Sequence, residues 1–78
     1  MKVQILGTGC PKCRKLMHNV KQAVASGEFD VQIEKIEDIS KIMEFGVMMT
    51  PALAIDGDVR SAGKVVSVDN IQDILKGE

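Results

Sequence analysis

Cys10 and Cys13 are the only cysteines in this chain of 78 residues, and just Pro11 and Lys12 lie between them. Two thiols at that spacing can close a disulfide, attack one in another molecule, or hold a soft metal ion. Each outcome needs a thiolate, which is both the nucleophile and the metal ligand. The surroundings favour one. Val3 to Leu6 reads as a buried strand, and the residues from Pro11 onward carry a helical period, so the cysteines fall at a strand-to-helix corner. Pro11 suits the first helical position, because its φ is preset and its missing N–H has no intrahelical partner to lose. Cys10 then stands at the N-cap and Cys13 about one turn on. The free N–H groups and dipole of a helix start stabilise negative charge. Lys12, Arg14 and Lys15 add cations nearby. Settings of this kind lower a cysteine pKa from about 8.5 to roughly 3.5–7.5. Side chains three apart on a helix have Cβ atoms about 5–6 Å from each other, within easy adjustment of a disulfide. Cys10 is therefore the candidate nucleophile and Cys13 the candidate resolving thiol, with Pro11 and Lys12 tuning the pair.

Two other uses of the pair stay open on residues alone. Both cysteines could be ordinary buried small side chains. Two thiolates are also half of a tetrahedral zinc site, which no second Cys or His pair completes, so no resident metal is expected. They would suffice for linear copper(I).

Size and composition bound the rest. The 78 residues form one domain, 1–78, near the lower limit for a self-sufficient core. With 45% hydrophobic residues, two Phe and neither Trp nor Tyr, that core must be aliphatic. A formal net charge of −1 argues against nucleic acid as partner, as does the lack of an aromatic platform for bases. No basic segment followed by an apolar stretch and cleavage site opens the sequence. The apolar runs are too short for a membrane span. The expected location is the cytoplasm, where a lone cysteine pair is catalytic or metal-binding rather than structural. A monomer is expected.

The elements that must position the pair follow in order. The first helix runs from Pro11 to about Ser26, with Cys13, Leu16, Met17, Val20, Ala23 and Val24 on one face and Gly27 as a left-handed cap. His18 falls on the polar side. Val31 to Lys35 alternates as a second strand. Asp38 caps a short helix that carries Ile39, Ile42 and Met43 inward, and Gly46 stops it. Pro51 leads into a third strand, Ala52 to Ile55, a place where proline is tolerated. Asp56-Gly57 is a two-residue hairpin signal before a fourth strand, Val59 to Ala62. Ser67 caps a last helix with Val68, Ile71, Ile74 and Leu75 on one face, closed at Gly77. The order is βαβαββα. Strands joined by a helix crossover should be parallel, and the last two antiparallel. The expected fold is α/β: a mixed four-stranded sheet with helices on both faces.

Cys10-Pro11-Lys12-Cys13 after a first strand, and Thr50-Pro51 before a hairpin turning at Asp56-Gly57, resemble the thioredoxin-like superfamily in its minimal form. The closest likeness is to the small redox-active disulfide proteins of archaea and bacteria, or glutaredoxin-like thioredoxins, and it covers essentially the whole chain. The resemblance implies a dithiol–disulfide oxidoreductase whose only cofactor is its own Cys10–Cys13 disulfide. It implies a disulfide-bearing protein or small thiol as substrate and a reductase as electron donor. It also implies a cis peptide before Pro51, with Thr50 and Pro51 against the cysteines and the Thr50 backbone free to pair with substrate. Met49 joins Thr50 and Pro51 as a docking residue, and Met48 and Met49, if exposed, would form an apolar rim beside Cys10. The chain departs from thioredoxins proper in having Gly9 where they carry Trp, and Gln4 is the nearest polar strand residue to their buried acid. Of the glutathione-binding segment of glutaredoxins, only Gly63 and Asp69 are echoed.

Two further classes fit parts of this pattern. Heavy-metal-associated domains place a Cys-x-x-Cys at a similar corner but usually have Met where Thr8 stands, and their chain ends in a strand rather than a helix. A binding module with a thioredoxin-like shape and no turnover is the other.

Overall fold

The computed structural model describes residues 1–77. Strand β1 (Lys2–Leu6) leads to helix α1 (Pro11–Gly27), strand β2 (Gln32–Ile36) and helix α2 (Ile39–Glu44). Strands β3 (Ala52–Ile55) and β4 (Asp58–Ala62) and helix α3 (Val68–Lys76) complete the order read from the sequence. The sheet order is β2-β1-β3-β4. β1 runs parallel to β2 and antiparallel to β3, and β3 and β4 form the hairpin. Asp56 (φ 50) and Gly57 (φ 87) both take left-handed backbone, as a two-residue hairpin whose twist suits its strands requires.

Alternation along the strands sends side chains to two layers. Val3, Ile5, Leu53 and Ile55 pack with Leu16, Val20 and Ala23 of α1 and with Ile71 and Leu75 of α3. Leu6, Ala52 and Ala54 point the other way, onto Ile36, Ile42 and Val47. The helices thus cover both faces, α1 and α3 on one and α2 on the other. Burying each large aliphatic side chain contributes about 1.5–3 kcal/mol. That makes the first layer, with more such residues, the main source of cohesion.

Three local expectations are corrected. The second strand starts one residue later, at Gln32. The left-handed cap of α1 is Glu28 (φ 56), not Gly27. Gly27 serves another need: a Cβ there would overlap the ring of Phe29, which folds back over the helix end. In α2 only Ile42 is buried, while Ile39 and Met43 face out. The small side chains of Ala52 and Ala54 leave a shallow layer, which Ile42, Val47 and Phe45 fill.

Candidate active site

The corner between β1 and α1 forms as its residue types dictate. Cys10 is the N-cap of α1, with extended backbone (φ −66, ψ 164), and Pro11 follows at the first helical position. The Cys10 sulfur accepts a hydrogen bond from the Cys13 backbone N–H at 3.3 Å. That N–H is one of the donors a helix start leaves without an intrahelical acceptor. The two thiols are free of a disulfide, Cys10 part-exposed and Cys13 buried at 3% exposure.

The two sulfurs are driven in opposite directions. The Cys10 pKa is lowered first by a hydrogen bond from the Cys13 thiol, then by the Cys13 backbone N–H, with the N–H groups of Lys12 and Cys10 adding to it. The Cys13 pKa is raised, first by burial and then by giving its proton to the shared hydrogen bond. Opposite shifts of this kind separate an exposed thiolate from a retained thiol. Lys12, Arg14 and Lys15 are all exposed, and Lys12 acts on Cys10 through its backbone.

Cys13 lies against Gly7, where a Cβ would overlap its Sγ and come 3.1 Å from its Cβ. The Cα of Pro51 lies 4.0 Å from the same point, so Gly7 separates the buried cysteine from the proline loop. The Gly7 N–H donates to the carbonyl of Ile36 at 2.9 Å, fixing the corner to β2. Sequence reasoning assigns Gly7 no role; the glycine three residues before the first cysteine is the only sign of this one. A second neighbour had no signal at all. The Glu37 carboxylate, paired with Lys35 at 3.7 Å, lies 3.5 Å from where a Gly9 Cβ would stand. Parallel pairing of β1 and β2 brings it there.

Across the corner, the Thr50–Pro51 peptide is cis, Thr50 is exposed and Pro51 buried. No backbone hydrogen bond engages Met48, Met49 or Thr50 among the described residues. The Pro51 carbonyl accepts from the Gly63 N–H at 2.8 Å, and the Met49 side chain lies against Gly63, about 3.1 Å from where its Cβ would be. No acidic side chain is buried among the described residues. Gln4 is committed to the scaffold: its amide donates to Glu34 at 3.2 Å and its oxygen accepts from the Gly57 N–H at 2.7 Å. His18 is exposed on α1. No group of three or more His, Cys, Asp or Glu among the described residues is placed to hold a metal ion, and no described helix is long and apolar enough to cross a membrane.

A mixed sheet in this order, with a cysteine pair at the first strand–helix corner, defines a thioredoxin-like dithiol protein. Residues 1–76 match the family model described as a thioredoxin domain. The chain is 41% identical over 75 residues to a thioredoxin of Methanothermobacter thermautotrophicus, covering 96% of this chain and 97% of that one. It is 42% identical over 74 residues to a thioredoxin of Methanocaldococcus jannaschii, covering 95% and 85% respectively. The chain therefore belongs to the thioredoxin family. It is a dithiol–disulfide oxidoreductase, acting on disulfides and recycled by a reductase in the general manner of that family.

Proposed function

We propose that Cys10 and Cys13 carry the exchange, Cys10 as nucleophile and Cys13 as resolving thiol. The observation that carries this is the shared hydrogen bonding at the α1 N-cap. The exposed sulfur accepts from both the N–H and the thiol of Cys13, and its buried partner keeps its proton. The Cys10 thiolate attacks one sulfur of a target disulfide. The target S–S bond breaks, a mixed disulfide forms, and the departing thiolate takes a proton from solvent. Cys10 no longer needs the Cys13 proton once it is bonded. Cys13 loses it and attacks the Cys10 sulfur, releasing the second target thiol. The target gains two electrons and two protons, and the protein is left with a Cys10–Cys13 disulfide. A dithiol of the donor reductase reverses the change.

Pro11 and Lys12 set the local backbone, and Thr50, Pro51 and Met49 receive the substrate. Among the described residues no backbone hydrogen bond engages Thr50, which supports pairing with an extended segment. No cofactor beyond the disulfide is needed. The protein acts as a monomeric single domain in a reducing compartment such as the cytoplasm, on a protein disulfide or a small one. The match of residues 1–76 to a thioredoxin domain speaks against the copper(I) carrier. The test is Cys13→Ser. A mixed disulfide between Cys10 and a model target should accumulate, and Cys10→Ser should abolish both trapping and insulin reduction. Trapping through position 13 instead of position 10 would reverse the roles and refute the assignment.

A further inference from the structure

Helix α1 breaks a charge rule that the other two helices keep. The partial charges of a helix favour carboxylates at its start and cations at its end. α3 carries Asp69 in its first turn and Lys76 in its last, and α2 has Lys41 in its last. α1 has no acidic residue in its first turn and no basic residue in its last. Instead Lys12, Arg14 and Lys15 crowd its start and Lys21 follows, with no Asp or Glu anywhere in Pro11–Gly27. All four cations are exposed. None of them makes an ion pair among the described residues, whereas Lys2, Lys35 and Arg60 do. Of the ten Lys and Arg, these four lie in α1, and the remaining six share the rest of the chain with all eleven Asp and Glu. An acidic molecule thus carries one basic ridge, and the ridge starts beside Cys10.

The ridge weakens the fold rather than holding it. Its first cations oppose the helix dipole, and Lys12 and Lys15, three apart, repel each other. Nor does it chiefly hold the thiolate, since the leading causes of the lowered Cys10 pKa are hydrogen bonds. Local rules are broken in this way where function requires it. We infer that the outer face of α1 is a docking surface for an acidic protein partner, and that it selects disulfides flanked by glutamate or aspartate. The inference rests on the role of Cys10 proposed above. Three features select this occupant. Arg14, His18 and Lys21 fall on one stripe at helical spacing, and Lys12 to Lys21 spans about 14 Å, the length of about four extended residues. The surface grooves of about 190, 330, 400 and 410 Å³ are lined by no residue of α1, so the ridge meets a surface rather than trapping a small anion. The acidic remainder of the chain would repel the continuous charge of a nucleic acid, whereas an acidic protein segment can match the ridge alone.

The test uses the full chain and synthetic peptide disulfides that carry glutamates or lysines on one or the other side of the cysteine. On at least one side, at about 0.01 M salt, glutamate should be preferred by about tenfold in kcat/KM. Net charge alone predicts the opposite order, because the chain as a whole is negative. At about 1 M salt the screening length falls from about 30 Å to about 3 Å, and the preference should fall to about twofold or less. The ridge variant Arg14→Gln, Lys15→Gln, Lys21→Gln should lose it to the same extent at low salt. Both peptides meet the same Cys10, so a change in the thiol itself cancels in the ratio. The variant Lys41→Gln, Lys64→Gln, Lys76→Gln, equal in charge but outside α1, should keep the preference. The inference is overturned if the parent shows no glutamate preference on either side, if the preference survives the ridge variant, or if the distant variant loses it as well. The ridge variant should melt no lower than the parent, because a repulsion has been removed. A midpoint lower by more than about 4 °C would make the cations structural and overturn the inference too. So would an oligouridylate RNA that blocks exchange at lower concentration than a glutamate peptide without cysteine. Neutral hydroxyethyl disulfide separates the two readings. Its exchange through Cys10 without any glutamate preference rejects the ridge alone, and no exchange with any disulfide rejects the thiol assignment.

Discussion

On the face under α1 and α3, Val3, Ile5, Leu53 and Ile55 are at most 1% exposed, and two helices close over them. On the face under α2, a six-residue helix buries Ile42 alone and leaves Ile39 and Met43 in solvent. One layer is saturated with contacts. The other is just closed, and its surplus apolar side chains lie next to Thr8 and Thr50. The difference teaches that the two sides of one thin sheet are closed to different degrees, with the cysteine corner between them.

The comparison breaks first in the saturated layer. Leu53→Ala should cost about 2–5 kcal/mol, because it removes a fully buried side chain from a layer with little room to collapse. For a domain of this size each kcal/mol is about 4–8 °C. Thermal unfolding should therefore show a midpoint at least about 8 °C lower; a change under about 2 °C would mean the layer is loosely packed. Gly7→Ala comes next. The added methyl must displace the Cys13 sulfur, at about 1–3 kcal/mol for overpacking. It should also pull the thiol of Cys13 off Cys10, so the Cys10 titration moves up toward that of free cysteine. Thermal melts and pH-dependent alkylation read the two effects separately, and an unchanged titration would disprove the coupling.

A third effect needs no mutation. Cys10 has its pKa lowered and Cys13 has it raised. As pH falls, alkylation of Cys10 should hold until a midpoint below the roughly 8.5 of free cysteine, and then decline as the thiolate is protonated. Cys13 should alkylate only above that value, when its proton is lost. Iodoacetamide labelling with peptide mapping across pH 5–10 measures both, and a Cys10 midpoint at or above about 8.5 contradicts the hydrogen-bond account. The smallest effect sharpens the comparison from the open side. Ile39→Ala should change stability by no more than about 0.5 kcal/mol, because the side chain is already in solvent. A loss near that of Leu53→Ala, seen in urea unfolding, would show the α2 layer to be as tightly closed as its counterpart.

Much of this arrangement was legible in the chain. Cys10 with Pro11, Asp38 and Ser67 announced three helix starts, and each side chain accepts the N–H of its own first turn. Asp56-Gly57 announced the hairpin. The whole element order followed, because each segment is too short to be anything else between such markers. The misses share a cause: each depends on what lies across space. Ile39 stands at helical spacing from both Ile42 and Met43, yet of the three only Ile42 packs into the layer with Ala52 and Ala54, which Val47 and Phe45 also occupy. Gly27 looks like a cap until Phe29 is seen against it. The closeness of Glu37 to Gly9 exists only once β1 and β2 have paired.

The contact between Gly7 and Cys13 means that the redox centre is longer than its four-residue signature. The buried sulfur occupies the volume that any other amino acid at position 7 would claim for its own side chain. A transplant of Cys-Pro-Lys-Cys onto another strand–helix corner would carry the letters and lose the seat. The transferable unit is the heptapeptide that begins at Gly7, together with the strand edge that holds its first amide.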